Sequence, residues 1–185
     1  MIRFFDILIS VIVLIIFLPL MIFISILILV IDGNPIIFKQ YRVGRKGKKF
    51  KVYKFKTMRE INIKDENQRL TLLGKFLRRL SLDELPQFYN VLNEEMSIVG
   101  PRPLPANIEK KINRLIKNKR RKVLPGITGL SQIKYTGKIR KLSDKIKLDL
   151  EFIDNYNLYN YFKILIKTPI VLFVRFCKNK SSIIK

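Results

Sequence analysis

An uninterrupted run of uncharged, mainly apolar residues limits the folds open to this chain more than any other feature of its sequence. The run covers residues 7–31, a total of 25 positions. A helix needs about 20 apolar residues to cross the hydrocarbon core of a bilayer. The run is longer than the apolar core of a signal peptide, and no small residues typical of a cleavage site follow it. We therefore expect a membrane segment that is retained in the protein.

Pro19 lies near the middle of this segment and leaves two arrangements open. A proline within a helix lacks an N–H and clashes with the carbonyl four residues earlier, here that of Ile15. One arrangement is a single bent helix that spans the bilayer, which the cost of free backbone groups in lipid favours. The other is a re-entrant helix–break–helix that enters and leaves by the same face. Both place the basic remainder of the chain in the cytoplasm, because Lys and Arg beside a membrane segment stay inside.

Positive charge is concentrated outside the membrane segment. Lys and Arg total 37 against 14 Asp and Glu, a net charge of +23, and Arg3 and Asp6 cancel within residues 1–31. Residues 32–185 should therefore attract phosphate ligands, acidic lipid headgroups or nucleic acid. The chain has no histidine, which excludes histidine bases, Ser-His-Asp triads and histidine metal sites. Its single cysteine, Cys177, excludes an intrachain disulfide and a Cys-rich zinc site.

The pattern after residue 31 predicts a mainly helical α+β fold. Two β-prone runs separated by Gly44 and Gly47 predict a short β-hairpin within residues 32–58. Apolar residues at helical spacing predict amphipathic helices, several of them basic enough to lie on an acidic membrane surface. These helices are expected at about residues 70–80, 107–122, 142–153 and 158–176. The predicted organisation is a membrane segment (1–31), a compact cytoplasmic domain with amphipathic interfacial helices (32–176) and a flexible basic tail (177–185).

Two adjacent carboxylates, Asp83 and Glu84, stand where a helix is predicted to begin. Ser81 and Glu84 fit the S-x-x-E capping box. The alternative register has Asp83 as N-cap, which places Pro86 in the first helical turn, where proline is tolerated. Either register puts both carboxylates at the positive end of the helix dipole, where ionised acids are commonly found for structural reasons alone.

Basic residues and stiff turns surround the pair. Arg78 and Arg79 precede it, and a Pro101-Arg102-Pro103 turn presents one arginine after it. Acids and fixed arginines held together indicate a site for a metal and a phosphate. Lys56 is a further candidate ligand, and the loop at Thr128 could bind an anion through its amides. Arg78 could equally complement the dipole of its own helix, and loops of the latter composition are usually turns.

The order of these segments closely resembles the bacterial sugar transferase family, the monotopic phosphoglycosyl transferases. The resemblance runs over almost the whole chain. It is carried by the apolar segment with its central proline and by the motifs YKFKTM (53–58), RRLSLDELPQ (78–87), NVLNEEMSIVGPRP (90–103) and PGITGLSQ (125–132). An isolated Asp-Glu pair would mean nothing. Asp-Glu-Leu-Pro followed at this distance by Val-Gly-Pro-Arg-Pro is a specific signal.

The resemblance implies a two-step transfer of a phospho-sugar from a nucleotide diphosphate sugar, commonly a UDP-sugar, to polyprenyl phosphate. It implies Asp83 as the nucleophile, Glu84 as its partner in a dyad, and Mg²⁺ as cofactor with Asp83 as its ligand. The implied substrate- and phosphate-binding residues are Lys56, Arg78, Pro101, Arg102, Pro103, Thr128 and Gln132. It also implies a re-entrant segment broken at Pro19, which reverses the preference for spanning. The implied location is the cytoplasmic face of the bacterial inner membrane.

The chain departs from the family pattern at several positions. Leu18 stands where a serine usually precedes the proline, Leu124 where a basic residue is typical, and Leu130 where a tryptophan is usual. Residues 133–136 do not follow the commonest asparagine-glycine-arginine pattern. We expect these positions to bear on nucleotide or sugar recognition, so the donor sugar stays unassigned.

A function of another class is a non-catalytic, membrane-anchored basic protein that binds acidic lipid or nucleic acid. Net charge and the membrane segment agree with it equally well. It gives no account of an Asp-Glu pair placed between arginines. Nucleic-acid binding would also predict exposed aromatic residues among the lysines, for which Tyr41 and Tyr53 provide little support. We therefore expect a nucleotide sugar, polyprenyl phosphate and membrane lipid as partners, and no nucleic acid.

Overall fold

The computed structural model describes residues 1–59, 69–134 and 141–180, without the side chains of 178–180. Helices dominate these residues, with two small two-stranded sheets between them. The elements in chain order are α1 (Ile2–Ile31), β1 (Ile37–Val43), β2 (Lys49–Phe55), α2 (Leu72–Leu80), α3 (Gln87–Leu92), β3 (Ser97–Val99), α4 (Ala106–Lys110), α5 (Arg114–Arg120), β4 (Gly126–Thr128), α6 (Leu130–Lys134), α7 (Leu142–Asp154) and α8 (Leu158–Lys180). The mainly helical α+β class is confirmed.

The predicted membrane segment lies within α1, which has a mean hydropathy of 3.3 over its most apolar window. Among the described residues it is the one helix long and apolar enough to cross a membrane. The structure assigns a single helix with Pro19 inside it, where the family resemblance implied two helices separated by a break. Proline lacks a backbone N–H, so the helix loses one hydrogen bond at Pro19. The hydrogen bonds before and after that residue can persist.

Both ends of α1 contact the rest of the protein. Near the start, the Arg3 guanidinium donates to the carbonyl oxygens of Val91 at 2.6 Å and Met96 at 3.3 Å. Near the end, Ile24 and Ile28 are buried. The cluster that holds these two also contains Phe55, Leu77 and Leu85. Between the two ends, residues 15–18 are all exposed.

A buried carboxylate fixes the start of α1. The Asp6 side chain accepts hydrogen bonds from the Tyr161 hydroxyl at 2.8 Å, the Ile98 N–H at 2.9 Å and the Ser97 hydroxyl at 3.1 Å. These donors come from β3 and α8, so a single side chain joins three elements of the fold. Buried acids are stable only when they are paired or hydrogen-bonded in this way.

The predicted hairpin is confirmed and a second sheet accompanies it. Strands β1 and β2 pair antiparallel from Ile37 opposite Phe55 to Val43 opposite Lys49. In the second sheet β3 and β4 run parallel, a pairing that no pattern in the sequence predicted. Glycines allow this close approach, because a Cβ on Gly126 would lie 2.1 Å from the Gly100 nitrogen. The pairing places the Pro-Arg-Pro turn beside the PGITG segment.

Two helix boundaries differ from the sequence-based expectations. The helix predicted at 107–122 is two helices, α4 and α5, because the Asn113 side chain accepts from the Leu115 N–H at 2.8 Å and caps a new helix. Helix α8 extends through residues 177–180, which were assigned to a flexible tail. The rest of that tail and the polar stretch at 60–68 lie outside the described residues.

Asp6 provides a test of how α1 is held. Asp6→Ala leaves three donors without their acceptor, and we expect it to lower the free energy of unfolding by about 3 kcal/mol or more. The control is Asp154→Ala, which removes an exposed ion pair with Lys119 and should cost about 1 kcal/mol or less. Denaturant unfolding of both variants in detergent measures the difference. An equal loss in the two variants would contradict a structural role for Asp6.

Candidate active site

The two carboxylates lie on a single 3₁₀ turn, Leu82–Glu84, between α2 and α3. Ser81 ends α2 in the left-handed conformation, with φ of 57°, and its side chain caps no helix. Helix α3 begins at Gln87, later than either predicted register. The capping box at Ser81 is therefore absent. Pro86 stands directly before this start, at the N-cap position.

Glu84 receives two cations on one oxygen. The Lys54 ammonium donates a short hydrogen bond to Glu84 Oε1, and the Arg102 guanidinium donates to the same atom at 2.9 Å. Asp83 is 6 % exposed. Its one ion pair within the described residues is the longer contact of 3.8 Å between Oδ2 and the Lys54 Nζ. The neighbouring acids are thus in different environments.

These environments move the two pKa values in opposite directions. Burial alone would raise the pKa of Glu84, but the charges and hydrogen bonds of Arg102 and Lys54 outweigh it and lower the pKa to about 2. For Asp83, burial raises the pKa above its usual value, the Lys54 charge opposes the rise, and the Glu84 charge adds to it. Glu84 therefore stays ionised at any physiological pH, whereas protonation of Asp83 is sensitive to its neighbours.

The structure brings Lys54, rather than Lys56, to the acid pair. Lys56 is buried, and its ammonium donates to the carbonyl oxygens of Asn34 at 2.9 Å and Asp32 at 3.0 Å, just beyond α1. Lys54 is held in place through β2, because the Asn90 side chain bonds the backbone on either side of Val52. It accepts from the Tyr53 N–H at 3.1 Å and donates to the Lys51 carbonyl at 2.7 Å.

The Pro-Arg-Pro turn presents Arg102 and is fixed from behind. Pro101 and Pro103 are buried, whereas the Arg102 side chain is 46 % exposed. The Arg120 guanidinium donates to the Arg102 carbonyl at 2.8 Å and also pairs with Asp149. Asp149 in turn accepts from the Ser131 hydroxyl at 3.0 Å. A buried ion pair therefore connects the turn to α7 and to the start of α6.

The other predicted residues surround the same region. Arg78 donates to the Thr57 hydroxyl at 2.9 Å. The Thr128 hydroxyl lies 2.9 Å from that of Thr168 on α8. The Gln132 side chain donates to the Ile127 carbonyl at 2.9 Å, and the Gln132 backbone carbonyl accepts a hydrogen bond from Arg175. Thr128 and Gln132 thus shape the loop through internal contacts, and Arg78 lies close enough for its charge to lower the pKa of Asp83.

Two residues that the sequence-based predictions left out, Lys54 and Asp149, follow from patterns in the sequence. Lys54 shares the inward face of β2 with Phe50 and Val52 by strand alternation, which is unusual for a lysine. Asp149 lies three residues from both Ile146 and Phe152 on the buried face of α7. A charged residue within an apolar stripe indicates a buried partner. Nothing in the local pattern identified that partner as Arg120.

The residues present are compatible with Mg²⁺, though not with an all-protein metal site. The described residues contain no group of three or more acidic, thiol or imidazole side chains that could hold a metal. Magnesium is commonly bound by one or two carboxylates, waters and substrate phosphates. Asp83 fits that role better than Glu84, since one oxygen of Glu84 is already shared by Lys54 and Arg102.

Comparison with known proteins identifies the family. The family model described as bacterial sugar transferase matches residues 1–175. The chain belongs to this family. It is 38 % identical over 190 residues to the UDP-glucose:undecaprenyl-phosphate glucose-1-phosphate transferase of Klebsiella pneumoniae, a match that covers 96 % of this chain and 40 % of the relative. The galactosyl transferase CpsE of Streptococcus agalactiae is 41 % identical over 155 residues, covering 74 % of this chain and 34 % of that protein.

A relative of similar length is also known. The exopolysaccharide production protein ExoY of Rhizobium meliloti is 32 % identical over 189 residues, covering 90 % of this chain and 82 % of the relative. By contrast, the matched region spans 34 % of CpsE and 40 % of the Klebsiella transferase. The match is therefore to one part of those two longer proteins.

Because Lys54 and Glu84 act on the pKa of Asp83 in opposite senses, substitutions of these two residues should shift the pH dependence of the rate in opposite directions. If ionised Asp83 is the reactive group, its reaction rate falls as the pH drops through its pKa. Lys54→Met removes a charge that lowers this pKa and should move the acid limb of the rate to higher pH. Glu84→Gln removes a charge that raises it and should move the limb to lower pH.

The measurement is the initial rate of nucleotide release against pH, with Lys49→Met, an exposed lysine of the same strand, as the control that shifts nothing. Shifts of the same sign in the Lys54 and Glu84 variants would show that Asp83 is not the titrating group.

Proposed function

We propose that this chain transfers a phospho-sugar from a nucleotide diphosphate sugar, a UDP-sugar being the expected class, to polyprenyl phosphate. The observation that carries the proposal is the pair of acids with unequal partners. Glu84 is neutralised by Lys54 and Arg102, whereas Asp83 has only the longer contact with Lys54 among the described ion pairs. The names of the relatives supply the substrate classes, a UDP-sugar donor and an undecaprenyl phosphate acceptor. A non-catalytic lipid-binding protein would not need this arrangement.

In the first step a carboxylate oxygen of Asp83 attacks the phosphorus that carries the sugar. A bond forms between Asp83 and that phosphorus, and the bond to the bridging oxygen breaks, so that UMP leaves with the electron pair. No proton transfer is required. Carboxylate nucleophiles of this kind form acyl phosphates in other enzymes. Lys54 and Arg102 stabilise the negative charge that builds up as two anions approach.

In the second step a phosphate oxygen of polyprenyl phosphate attacks the same phosphorus. The bond to Asp83 breaks, the carboxylate is regenerated, and polyprenyl diphosphate–sugar is released. Asp83 would also hold Mg²⁺, which when bound neutralises charge on the diphosphate. Glu84 acts here as a positioning residue, because its ion pairs hold Lys54 and Arg102 beside Asp83.

We propose that α1 is re-entrant, with both ends on the cytoplasmic face of the bacterial inner membrane. A straight helix would hold Arg3 and Ile24 about 32 Å apart. Their contacts are much closer together, because Arg3 bonds Val91 and Ile24 packs in one cluster with Leu85. These partners are six residues apart on a largely helical stretch, about 10 Å. Phe88, between them, packs against the clusters at both ends of α1.

The exposed residues 15–18 support the same arrangement. They lie just before Pro19, midway between the two anchored ends, and no part of the described protein covers them. Exposed apolar side chains on all sides of a helix are stable in hydrocarbon and costly in water. A hairpin apex at this position would reach into one leaflet while the acid pair stays at headgroup level, where polyprenyl phosphate presents its anion.

Asp83→Asn tests the covalent step. With donor alone, the native protein should release one burst of UMP and gain the mass of a phospho-sugar. The variant should do neither, and its turnover should fall by about 10³-fold or more. Asp154→Asn, an exposed acid, is the matched control and should behave as the native protein. A retained burst in Asp83→Asn would refute Asp83 as the nucleophile, and no UMP from the native protein with any donor would refute the activity.

Cysteine labelling tests the proposed topology. In a Cys177→Ser background, a cysteine inserted after Met1 should react from the same side of sealed inside-out vesicles as Arg114→Cys, at an exposed position of α5. The reason is that both ends of α1 contact the same domain. Labelling of the two positions from opposite sides would establish a spanning helix instead.

A further inference from the structure

The C-terminal helix α8 closes one side of the acid pair's surroundings. The Arg79 guanidinium, four residues before Asp83, donates to the Phe176 carbonyl at 2.8 Å and lies 4.7 Å from the centre of the Phe176 ring. Eight residues earlier on α8, about two turns away, Thr168 contacts Thr128 in β4. Helix α8 is therefore tied both to the segment that precedes the acids and to the PGITG strand.

Arg175 lies on the inner face of this helix. It is seven residues, about two turns, from Thr168, and its guanidinium donates to the Gln132 carbonyl. The opposite face is apolar and exposed through Ile166, Ile170 and Phe173. The helix thus separates an apolar surface on one side from a guanidinium directed towards the site on the other.

Positive charge exceeds negative charge around the acid pair. Burial lowers the pKa of Arg175, the Arg102 charge lowers it further, and the Glu84 charge opposes the shift. The pKa of Arg42 is lowered to about 10. Burial and the Arg102 charge lower it, and the Glu84 charge opposes the shift. Cations that depress one another's pKa in this way are stabilised when an anion binds among them.

The charged residues that influence one another around the acid pair form a cluster with more cations than anions. Its cationic members are Arg42, Lys54, Arg78, Arg102 and Arg175, and its anionic members are Asp83 and Glu84. Two substrates bring phosphate to such a site. The nucleotide donor carries a diphosphate on a water-soluble group, and the acceptor carries a monophosphate on a hydrocarbon chain.

We propose that Arg175 binds the phosphate of the polyprenyl phosphate acceptor. This inference rests on the proposed function. The acceptor is favoured over the donor because the face of α8 opposite Arg175 is apolar and exposed, as in a helix that lies in a membrane interface. A helix in that position holds the Arg175 guanidinium at headgroup depth, where a lipid phosphate reaches it while the hydrocarbon chain stays in the bilayer. Arginine suits the task because its planar fork grips phosphate at two points.

Separation of the two half-reactions tests the assignment. Arg175→Met should raise the KM for polyprenyl phosphate by about 10-fold or more, the effect of losing a charged hydrogen bond. The UMP burst with donor alone should keep its rate and amplitude, and Arg175→Lys should recover part of the acceptor affinity. Lys167→Met removes the same charge from an exposed position of α8, and it controls for attraction to the membrane surface.

The outcomes distinguish the possible errors. A slower burst in Arg175→Met with an unchanged KM for the acceptor would overturn the proposal and assign Arg175 to the donor. An equal rise in KM for Lys167→Met would also overturn it, since general surface charge would then explain the effect. If Arg175→Met does not fold, Arg175→Gln keeps a donor for the Gln132 carbonyl and serves in its place. Absence of any burst in the native protein would instead refute the proposed function itself.

Discussion

The shared contact of Lys54 and Arg102 with one oxygen of Glu84 is the interaction on which the site depends. It joins β2, the turn after β3 and the 3₁₀ turn between α2 and α3. Burial by itself would favour the neutral acid, and the two cations together outweigh it and keep Glu84 ionised. Asp83, adjacent in the chain, has a longer contact of 3.8 Å with Lys54, and the Arg102 charge also acts on it. Two adjacent acids can therefore have separate roles, one holding the cations and the other meeting the substrate.

Buried acids perform a second task away from the reaction. Asp6 and Asp149 each connect elements distant in sequence, the first through neutral donors and the second through Arg120 and Ser131. Removal of one partner from a buried pair is strongly destabilising, about 3–5 kcal/mol, because the remaining charge is left without compensation. Few acids are available in a chain of net charge +23. Several of them are placed where one carboxylate holds two or three segments together.

Periodicity predicted the elements that are long enough to show it. The hairpin, α2 and α7 follow from alternation or helical spacing, and the Asp-Glu and Pro-Arg-Pro motifs identified the centre of the site. The pairing of β3 with β4 was beyond such reasoning, because three-residue strands carry no period and their partners lie far apart in the chain. The choice of Lys56 over Lys54 has a different cause. Strand alternation points these two lysines, two residues apart, in the same direction, so no local pattern shows which of them meets Glu84.

The positions of those two lysines connect the membrane segment to the chemistry. Lys56, directly after β2, binds the carbonyls that follow α1, and Lys54, two residues earlier in the chain, binds Glu84. Two residues of a strand span about 7 Å. The hairpin is therefore a short, hydrogen-bonded spacer between the end of the apolar helix and the acid pair. The proposed reaction between a soluble donor and a lipid phosphate requires the proposed nucleophile at a fixed depth. Here a two-residue segment of backbone sets that depth, without a flexible linker between anchor and site.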